Sequence, residues 1–196
     1  TSTKTHDVVK GMELCGVLNA VIRDDIAEEI KVAATIFRSI NSRRMRRHDA
    51  TKAVDVNFPQ NGETWRGTSF RRDVRSFFEQ MLGKKYRVPG FLATSSRRDI
   101  ASNFAAKADK DHPRALWRIA FDQRGKDRLE YRVQHMTLVS KTLVKGEREY
   151  LFAPYSVFTL ASVVWSDKLR TPHHFVVKPA VDNREEDENL PLTPWY

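Results

Sequence analysis

Two glutamates separated by one residue, Glu147 and Glu149, are the side chains of this sequence that most suggest chemistry. They precede an apolar run, and residues 145–152 are therefore typical of a strand. Side chains two apart on a strand project to the same face roughly 7 Å apart, so both carboxylates would share one wall while Arg148 faces away. Such a pair can orient a base, take its proton or stabilise a cation. Taken alone, a Glu-x-Glu pair is more often plain solvated surface.

An arginine followed by a glycine, Arg66-Gly67, ends a predicted strand over residues 64–68. A guanidinium stays charged at physiological pH and offers a planar fork that matches phosphate oxygens. Arg66 is thus the candidate phosphate-binding residue, against the alternative of an ordinary surface arginine. Gly67 would let a ligand approach the backbone closely.

A cluster of hydroxyls ends a second predicted strand. The strand is predicted over Val88 to Thr94, and Ser95 and Ser96 follow it and precede a predicted helix that contains Ala101 and Phe104. A hydroxyl before a helix often only caps it, so capping is the simple explanation for Ser95 and Ser96.

Taken in order, these three motifs resemble the R-S-E class of arginine-specific mono-ADP-ribosyltransferases. The resemblance covers residues 60 to 180 and includes the aromatic-Arg-Gly strand, the Phe-x-Ser-Thr-Ser strand, the Ala-x-x-Phe helix and the Glu-x-Glu strand. One position departs from the pattern, because Ala93 stands where the family has its first serine. That serine normally holds the catalytic glutamate, so Ser95 or Ser96 takes over its work here or the glutamate is held less firmly.

The resemblance implies an activity and roles for the site residues. NAD would be the co-substrate, Glu149 the catalytic glutamate and Glu147 the residue that selects an arginine of a target protein as acceptor. Arg66, Gly67, Thr94, Ser95 and Phe104 would line the NAD site, with the Gly67 main chain reading the nicotinamide amide. Residues 106–113 would lie over the cofactor, and the loop 140–146 would recognise the acceptor. No metal is implied.

These residues need strands and helices to position them. We predict an α+β fold, with an N-terminal helical lobe packed on two short, mainly antiparallel β-sheets and an NAD cleft between the sheets. Apolar spacing predicts helices over residues 7–47 and 70–82. The whole chain of 196 residues is one predicted domain, with the lobe at 1–57, the catalytic core at 58–180 and a solvated, loosely held tail at 181–196.

Composition leaves two other functions open. A formal charge of +9 and a pI near 9.8 indicate anionic partners, which include dinucleotide phosphates and nucleic acid. A basic nucleic-acid-binding module would use the run Arg43 to Arg47, although a solvated basic helix end explains that run more simply. An NAD glycohydrolase would use the same cleft with water as acceptor.

The single cysteine and the hydropathy bear on location. Cys15 excludes a disulfide within the chain and is typical of a reducing compartment, or of a toxin delivered into another cell's cytosol. No apolar run in the sequence is long enough for a membrane span, and Thr1 does not open a signal peptide. The location of the protein is otherwise unspecified by its sequence.

Overall fold

The computed structural model describes residues 17–21, 27–44, 58–69, 72–107, 112–139, 148–168 and 170–194. Glu147 lies outside these ranges, as do the predicted acceptor loop at 140–146, residues 108–111 of the segment expected over the cofactor, Cys15 and residues 45–47 of the basic run.

The helices fall where apolar spacing places them. Residues 17–21 are helical, and they are followed by α1 (Ala27–Arg44), α2 (Arg75–Gln80) and α3 (Arg98–Lys107). The helix predicted over 70–82 is shorter than expected, since Arg72–Val74 forms a 3₁₀ turn before α2. Gly83, with φ of 76°, follows that helix in the left-handed region, which glycine adopts without strain. Within the described residues, no helix is both long and apolar enough to cross a bilayer.

Eight strands of the described residues form one mixed sheet. They are β1 (Glu63–Ser69), β2 (Lys85–Val88), β3 (Leu92–Ser95), β4 (Arg114–Ala120), β5 (Met136–Leu138), β6 (Glu149–Phe152), β7 (Ser156–Val164) and β8 (His173–Pro179). Their order across the sheet is β2-β7-β8-β4-β1-β3-β6-β5. Every pair of neighbours is antiparallel except β4 and β8, which run parallel.

The two sheets expected from the sequence are two halves of this one sheet. Strands β1 and β3 are paired at a single position, Trp65 opposite Ser95, so the halves are joined by one pair of residues. The halves fold over a shared core, where the Phe152 ring of β6 lies edge-on to Phe158 of β7 with centroids 5.2 Å apart. The predicted α+β class is confirmed, and the predicted separation into two sheets is replaced by a single sheet that bends at this pair.

Aromatic side chains fill the core under the larger half. Trp117 lies on the core face of β4 together with Ala115 and Ile119. Its ring stacks on Phe175 of β8, with ring centroids 4.0 Å apart. Phe78 of α2 packs edge-on against both rings, with centroids 5.1 Å from each. Edge-on and stacked pairs of this kind add about 1 kcal/mol each beyond the burial of their area.

A second, smaller core lies on the other face of the smaller half. Leu18, Val21 and Ala33 of the N-terminal helices pack there with Phe91, and Leu151 of β6 lies against them. The N-terminal helical lobe therefore rests on the same face of β6 that carries Glu149, because residues 149 and 151 alternate with the core residues 150 and 152.

The C-terminal segment is held firmly, so the prediction of a loosely held tail is wrong up to Pro194. Arg87 of the edge strand β2 donates its backbone N–H to Pro191 and accepts from Thr193 N, both at 2.8 Å. Its buried guanidinium donates to the carbonyl oxygens of Tyr155, Glu186 and Asp187. Pairing of this segment covers the open edge of β2, which would otherwise present unpaired backbone groups.

His135 is a buried titratable group in the core. His135 is only 7% exposed, and its ring centroid lies 6.0 Å from that of Phe152. Burial lowers the pKa of His135 to about 4, and the nearby Asp182 carboxylate offsets only part of that effect. Between about pH 6.5 and 4, the unfolded chain therefore binds a proton that the folded chain excludes.

We expect acid to destabilise the fold through His135. The free energy of unfolding should fall by up to about 3 kcal/mol as the pH drops from 6.5 to 4, since a depressed folded pKa gives stability that is present above the unfolded pKa. His135→Leu should flatten this part of the profile in urea titrations made at a series of pH values. An equal slope in wild type and His135→Leu would contradict the assignment.

Candidate functional site

Glu149 and Ser95 face each other across two paired strands. Ser95 of β3 pairs with Glu149 of β6 and also with Trp65 of β1, so the three residues form one row across the sheet. Side chains directly opposite in an antiparallel pair share a face and have Cβ atoms about 5 Å apart. The row therefore brings together a carboxylate, a hydroxyl and an indole on one face, next to the N-terminal helical lobe.

The Ser95 hydroxyl accepts one hydrogen bond and has its own proton to donate. Its Oγ accepts from the backbone N–H of Arg97 at 3.1 Å, which is the capping contact that the sequence also allowed. A hydroxyl that accepts in this way still has its own O–H to donate. Ser95 is only 4% exposed and Glu149 is its direct partner on β6, so the two side chains lie on the same face of the sheet.

The other predicted hydroxyl, Thr94, lies on the opposite face of β3. Its Oγ1 is buried and donates to the carbonyl oxygen of Tyr150 at 3.2 Å. Ala93 does share the face of Ser95, but it pairs with Leu151 and not with Glu149. The structure thus separates the three positions of the motif, and Ser95 is the one whose side chain lies opposite the glutamate.

Arg66 sits where the two halves of the sheet part. If pairing of β1 with β3 continued past Trp65, Gly67 would lie opposite Ala93, but the ladder stops at Trp65. The Arg66 guanidinium occupies this gap, and its Nη1 donates to Ala93 O at 3.0 Å. Alternation along β1 sends its side chain to the face opposite to Trp65, away from the row of Ser95 and Glu149.

A small cavity adjoins Arg66 on that face. It measures about 80 Å³ and is lined by Thr68, Leu92 and Trp117 with other apolar core residues, and by Thr193 and Pro194 of the C-terminal segment. Ligand clefts usually measure roughly 300–1,000 Å³, so this cavity alone does not hold a dinucleotide. The structure thus places Arg66 at the seam between the two halves of the sheet, where β1 and β3 part, and not beside Glu149.

Gly67 is required by the helix that packs on β1. A Cβ at this position would lie 1.7 Å from the carbonyl oxygen of Ala101 and 2.6 Å from the nitrogen of Ala105, both in the α3 backbone. The glycine therefore allows close approach of α3, whereas the sequence suggested close approach of a ligand. Close approach of α3 does not exclude a ligand at Gly67. The helix packs against the Cα side of the residue, and the backbone edge of β1 beyond Trp65 is not paired with β3.

Helix α3 also positions Phe104. Ile100, Ala101 and Ala105 face the sheet, while Phe104 points outward and is 56% exposed. Phe104 is therefore not part of the hydrophobic core. A phenyl ring exposed beside the site is available to contact a ligand.

Two arginines at the start of α3 were missed by sequence reasoning. Arg97 makes two hydrogen bonds to the Asp99 carboxylate, which hold the pKa of Asp99 below its ordinary value. The Arg98 guanidinium lies over the Trp65 ring, 5.1 Å from its centroid. The signal available in the sequence was two bases directly after the hydroxyl strand.

Metal-binding residues do not converge in the described part of the chain, where no group of three or more His, Cys, Asp or Glu could hold an ion. Glu149 itself is half-buried at the start of β6, and its carbonyl accepts from Val139 N at 2.8 Å. The described functional groups are thus a carboxylate, a hydroxyl, aromatic rings and arginines.

This arrangement of strands and helices is the ADP-ribosyltransferase fold, in agreement with the fold expected from the sequence motifs. The similarity to solved structures is one of fold, because sequence identities lie between 13% and 18% for the structures described next. No protein-family model and no curated protein matches the sequence.

Three solved structures illustrate the match. The ADP-ribosyltransferase Vis in complex with agmatine superposes with a TM-score of 0.57 at 16% identity, over 85% of this chain and 68% of Vis. The Vis toxin from Vibrio splendidus gives 0.51 at 18% identity, over 76% of this chain and 58% of the toxin. The Clostridium limosum C3 exoenzyme gives 0.51 at 13% identity, over 92% and 86%. This chain thus spans 58% to 68% of these two Vis chains.

We expect Gly67→Ala to destabilise the protein. The added methyl meets main-chain atoms of α3, which cannot move aside as a flexible side chain can, and overpacking of this kind costs roughly 1–3 kcal/mol. Urea denaturation should show the loss. Gly83→Asn is the comparison, because Gly83 opens to free space and any loss there comes from its positive φ alone. A Gly67→Ala protein as stable as Gly83→Asn would mean that α3 is held farther from β1.

Proposed function

We propose that this protein is a mono-ADP-ribosyltransferase that moves ADP-ribose from NAD to an arginine side chain of a target protein, with release of nicotinamide. The observation that supports the proposal most directly is the pairing of Ser95 with Glu149 on one face of an ADP-ribosyltransferase fold. Fold alone does not define an activity, so the proposal rests on the carboxylate and hydroxyl that this fold brings together.

The proposed reaction begins with cleavage of the nicotinamide–ribose bond. This is a glycosidic bond with a good leaving group, and its transition state resembles an oxocarbenium ion. The electron pair of the bond leaves with nicotinamide, and the positive charge that develops on the ribose is stabilised by the Glu149 carboxylate. Ser95 is the proposed positioning residue, which donates its O–H to that carboxylate and fixes its orientation.

The proposed acceptor is an arginine. A guanidinium is a poor nucleophile while protonated, so a carboxylate must orient it and take the proton that it loses as the new C–N bond forms. Glu147, two residues before Glu149, is assigned to that step by its place in the Glu-x-Glu motif. The complex of Vis with agmatine, a small guanidinium compound, supports the same acceptor chemistry.

The remaining site residues have proposed roles in binding NAD or in supporting the strands of the site. The sequence motif assigns Arg66 to cofactor phosphate, but its place on the face opposite to Glu149 does not support that role. The Gly67 main chain is assigned to the nicotinamide amide and the exposed Phe104 to the nicotinamide ring. Thr94 supports the site indirectly, because its hydroxyl bond to Tyr150 ties β3 to β6. Vis is described as a toxin, and a role as a toxin or effector acting in another cell's cytosol is part of this proposal.

A single assay separates the proposed function from the two alternatives that the sequence left open. Wild-type protein is incubated with labelled NAD, with and without arginine-rich protein or agmatine. Transfer of label to arginine supports the proposal. Free ADP-ribose formed at the same rate with and without acceptor identifies a glycohydrolase, and steeply salt-dependent binding to DNA or RNA without NAD turnover identifies a nucleic-acid-binding module.

The two glutamates should give different defects. We expect Glu149→Ala to abolish both transfer to arginine and hydrolysis of NAD, with a loss of roughly 3–4 kcal/mol or more at the barrier, because every outcome passes through the same cation. Glu147→Ala should remove transfer and keep much of the hydrolysis, since water can still capture the cation. Both rates are measured as nicotinamide release and as label on the acceptor.

Arg148 is the matched control for these variants, since it stands between the glutamates and faces away from them. Arg148→Gln should retain both activities within about a factor of three. Indistinguishable Glu147→Ala and Glu149→Ala proteins, or a dominant defect in Arg148→Gln, would show that the strand register does not support this division of roles.

The row geometry makes a second prediction about Ser95. Ser95→Ala should lower kcat about tenfold, as loss of one hydrogen bond to a charged group is worth roughly 1.5 kcal/mol, and Ser95→Thr should recover part of the rate. Ala93→Ser should preserve or raise turnover, but only modestly, because residue 93 lies opposite Leu151. Equal rates in wild type, Ser95→Ala and Ala93→Ser would reduce Ser95 to a helix cap.

A further inference from the structure

Arg98 is a cation on the same face of the sheet as Glu149. Its guanidinium lies over the Trp65 indole, 5.1 Å from the ring centroid. Trp65 is the first residue of the row that continues through Ser95 to Glu149. A guanidinium on an aromatic face gains cation–π attraction and loses side-chain freedom, so the indole holds this charge in place.

Within the part of the chain that the structure describes, Arg98 forms no ion pair with a carboxylate. Its neighbour Arg97 is bound to Asp99, and Arg118, which pairs with Trp65 from the other side, is bound to Glu63 at 2.7 Å. Arg66 donates to a main-chain carbonyl from the opposite face. Among these arginines, Arg98 combines a fixed position, an open fork of donors and the face of Glu149.

The spacing suits the length of a dinucleotide. Neighbouring strands lie about 4.8 Å apart, so Trp65 stands about 10 Å from Glu149 across two strands. In a dinucleotide, the diphosphate follows the nicotinamide ribose directly. A ribose held at Glu149 and extended along the row toward β1 would therefore bring its diphosphate to the Trp65 end, where Arg98 lies.

We propose that Arg98, held on Trp65, binds the diphosphate of the dinucleotide. This inference rests on the proposed function and adds a binding residue to it. The arginine fork donates two parallel hydrogen bonds to phosphate oxygens, which lysine does not reproduce. Trp65 acts as a positioning residue, because it sets where the guanidinium lies without touching the phosphate.

The test measures ligand binding and turnover in Arg98→Gln, Arg98→Lys and Trp65→Leu. The probes are NAD and ADP-ribose, which carry the diphosphate, and nicotinamide, which does not. Arg118→Gln is the matched control, since it removes the same charge from the same row but from a carboxylate-paired residue. Thermal melting confirms that each variant is folded, and calorimetry gives the dissociation constants.

For Arg98→Gln we expect the Kd of NAD and of ADP-ribose to rise about tenfold, the inhibition constant of nicotinamide to stay within twofold, and the KM for NAD to rise while kcat changes little. Arg98→Lys should recover less than half of this loss in binding free energy. Trp65→Leu should weaken both diphosphate ligands by a smaller factor, and its effect should shrink in an Arg98→Gln background, because the indole acts through the guanidinium.

Four results would overturn the inference. NAD and ADP-ribose could bind Arg98→Gln as tightly as they bind Arg118→Gln, or nicotinamide could be weakened as much as NAD, which would indicate distortion of the site. If wild type is fully active and Arg98→Gln is unaffected, Arg98 does not bind the diphosphate, and the proposed function is still supported. A wild-type protein that binds no NAD would overturn both.

Discussion

A single pair of residues, Trp65 opposite Ser95, connects the two halves of the sheet, and the geometry of the site depends on it. Ser95 pairs on its other side with Glu149, so this connection aligns an indole, a hydroxyl and a carboxylate across three strands. Beyond Trp65 the strands part, and Arg66 fills the gap by donating to Ala93 O. Because the halves are also held by the aromatic core between them, the seam can remain short without leaving Glu149 loosely placed.

The second constraint is the contact of α3 with β1 at Gly67. The α3 backbone approaches so closely that no side chain fits, and this fixes where the helix begins relative to the row. Arg98 at its start therefore reaches the Trp65 end of the site, while Phe104 projects outward from the same helix. One glycine thus links strand packing to the placement of both a cation and an exposed ring.

Motif reasoning from the sequence identified the strands that carry chemistry, because hydroxyl, arginine and glutamate residues lie beside short apolar runs bounded by turns. It was less successful for contacts between segments distant in the chain. The acidic stretch near residue 186 was expected to be solvated, yet carbonyl oxygens from it and a neighbouring turn bind the buried Arg87 guanidinium. A carbonyl is the same in every residue, so such a partner leaves no trace in side-chain chemistry.

Local sequence alone determined the α+β class, the positions of the helices and the identity of the Ser95 and Glu149 strands, since period and turn residues act within a few positions. Only the tertiary structure decided that the halves form one sheet, that Thr94 faces away from Glu149 and that Arg66 lies on the opposite face from Arg98. Those outcomes depend on strand register and on which residues meet across it. A shift of one residue in register reverses every side chain, and pairing partners lie far apart in sequence.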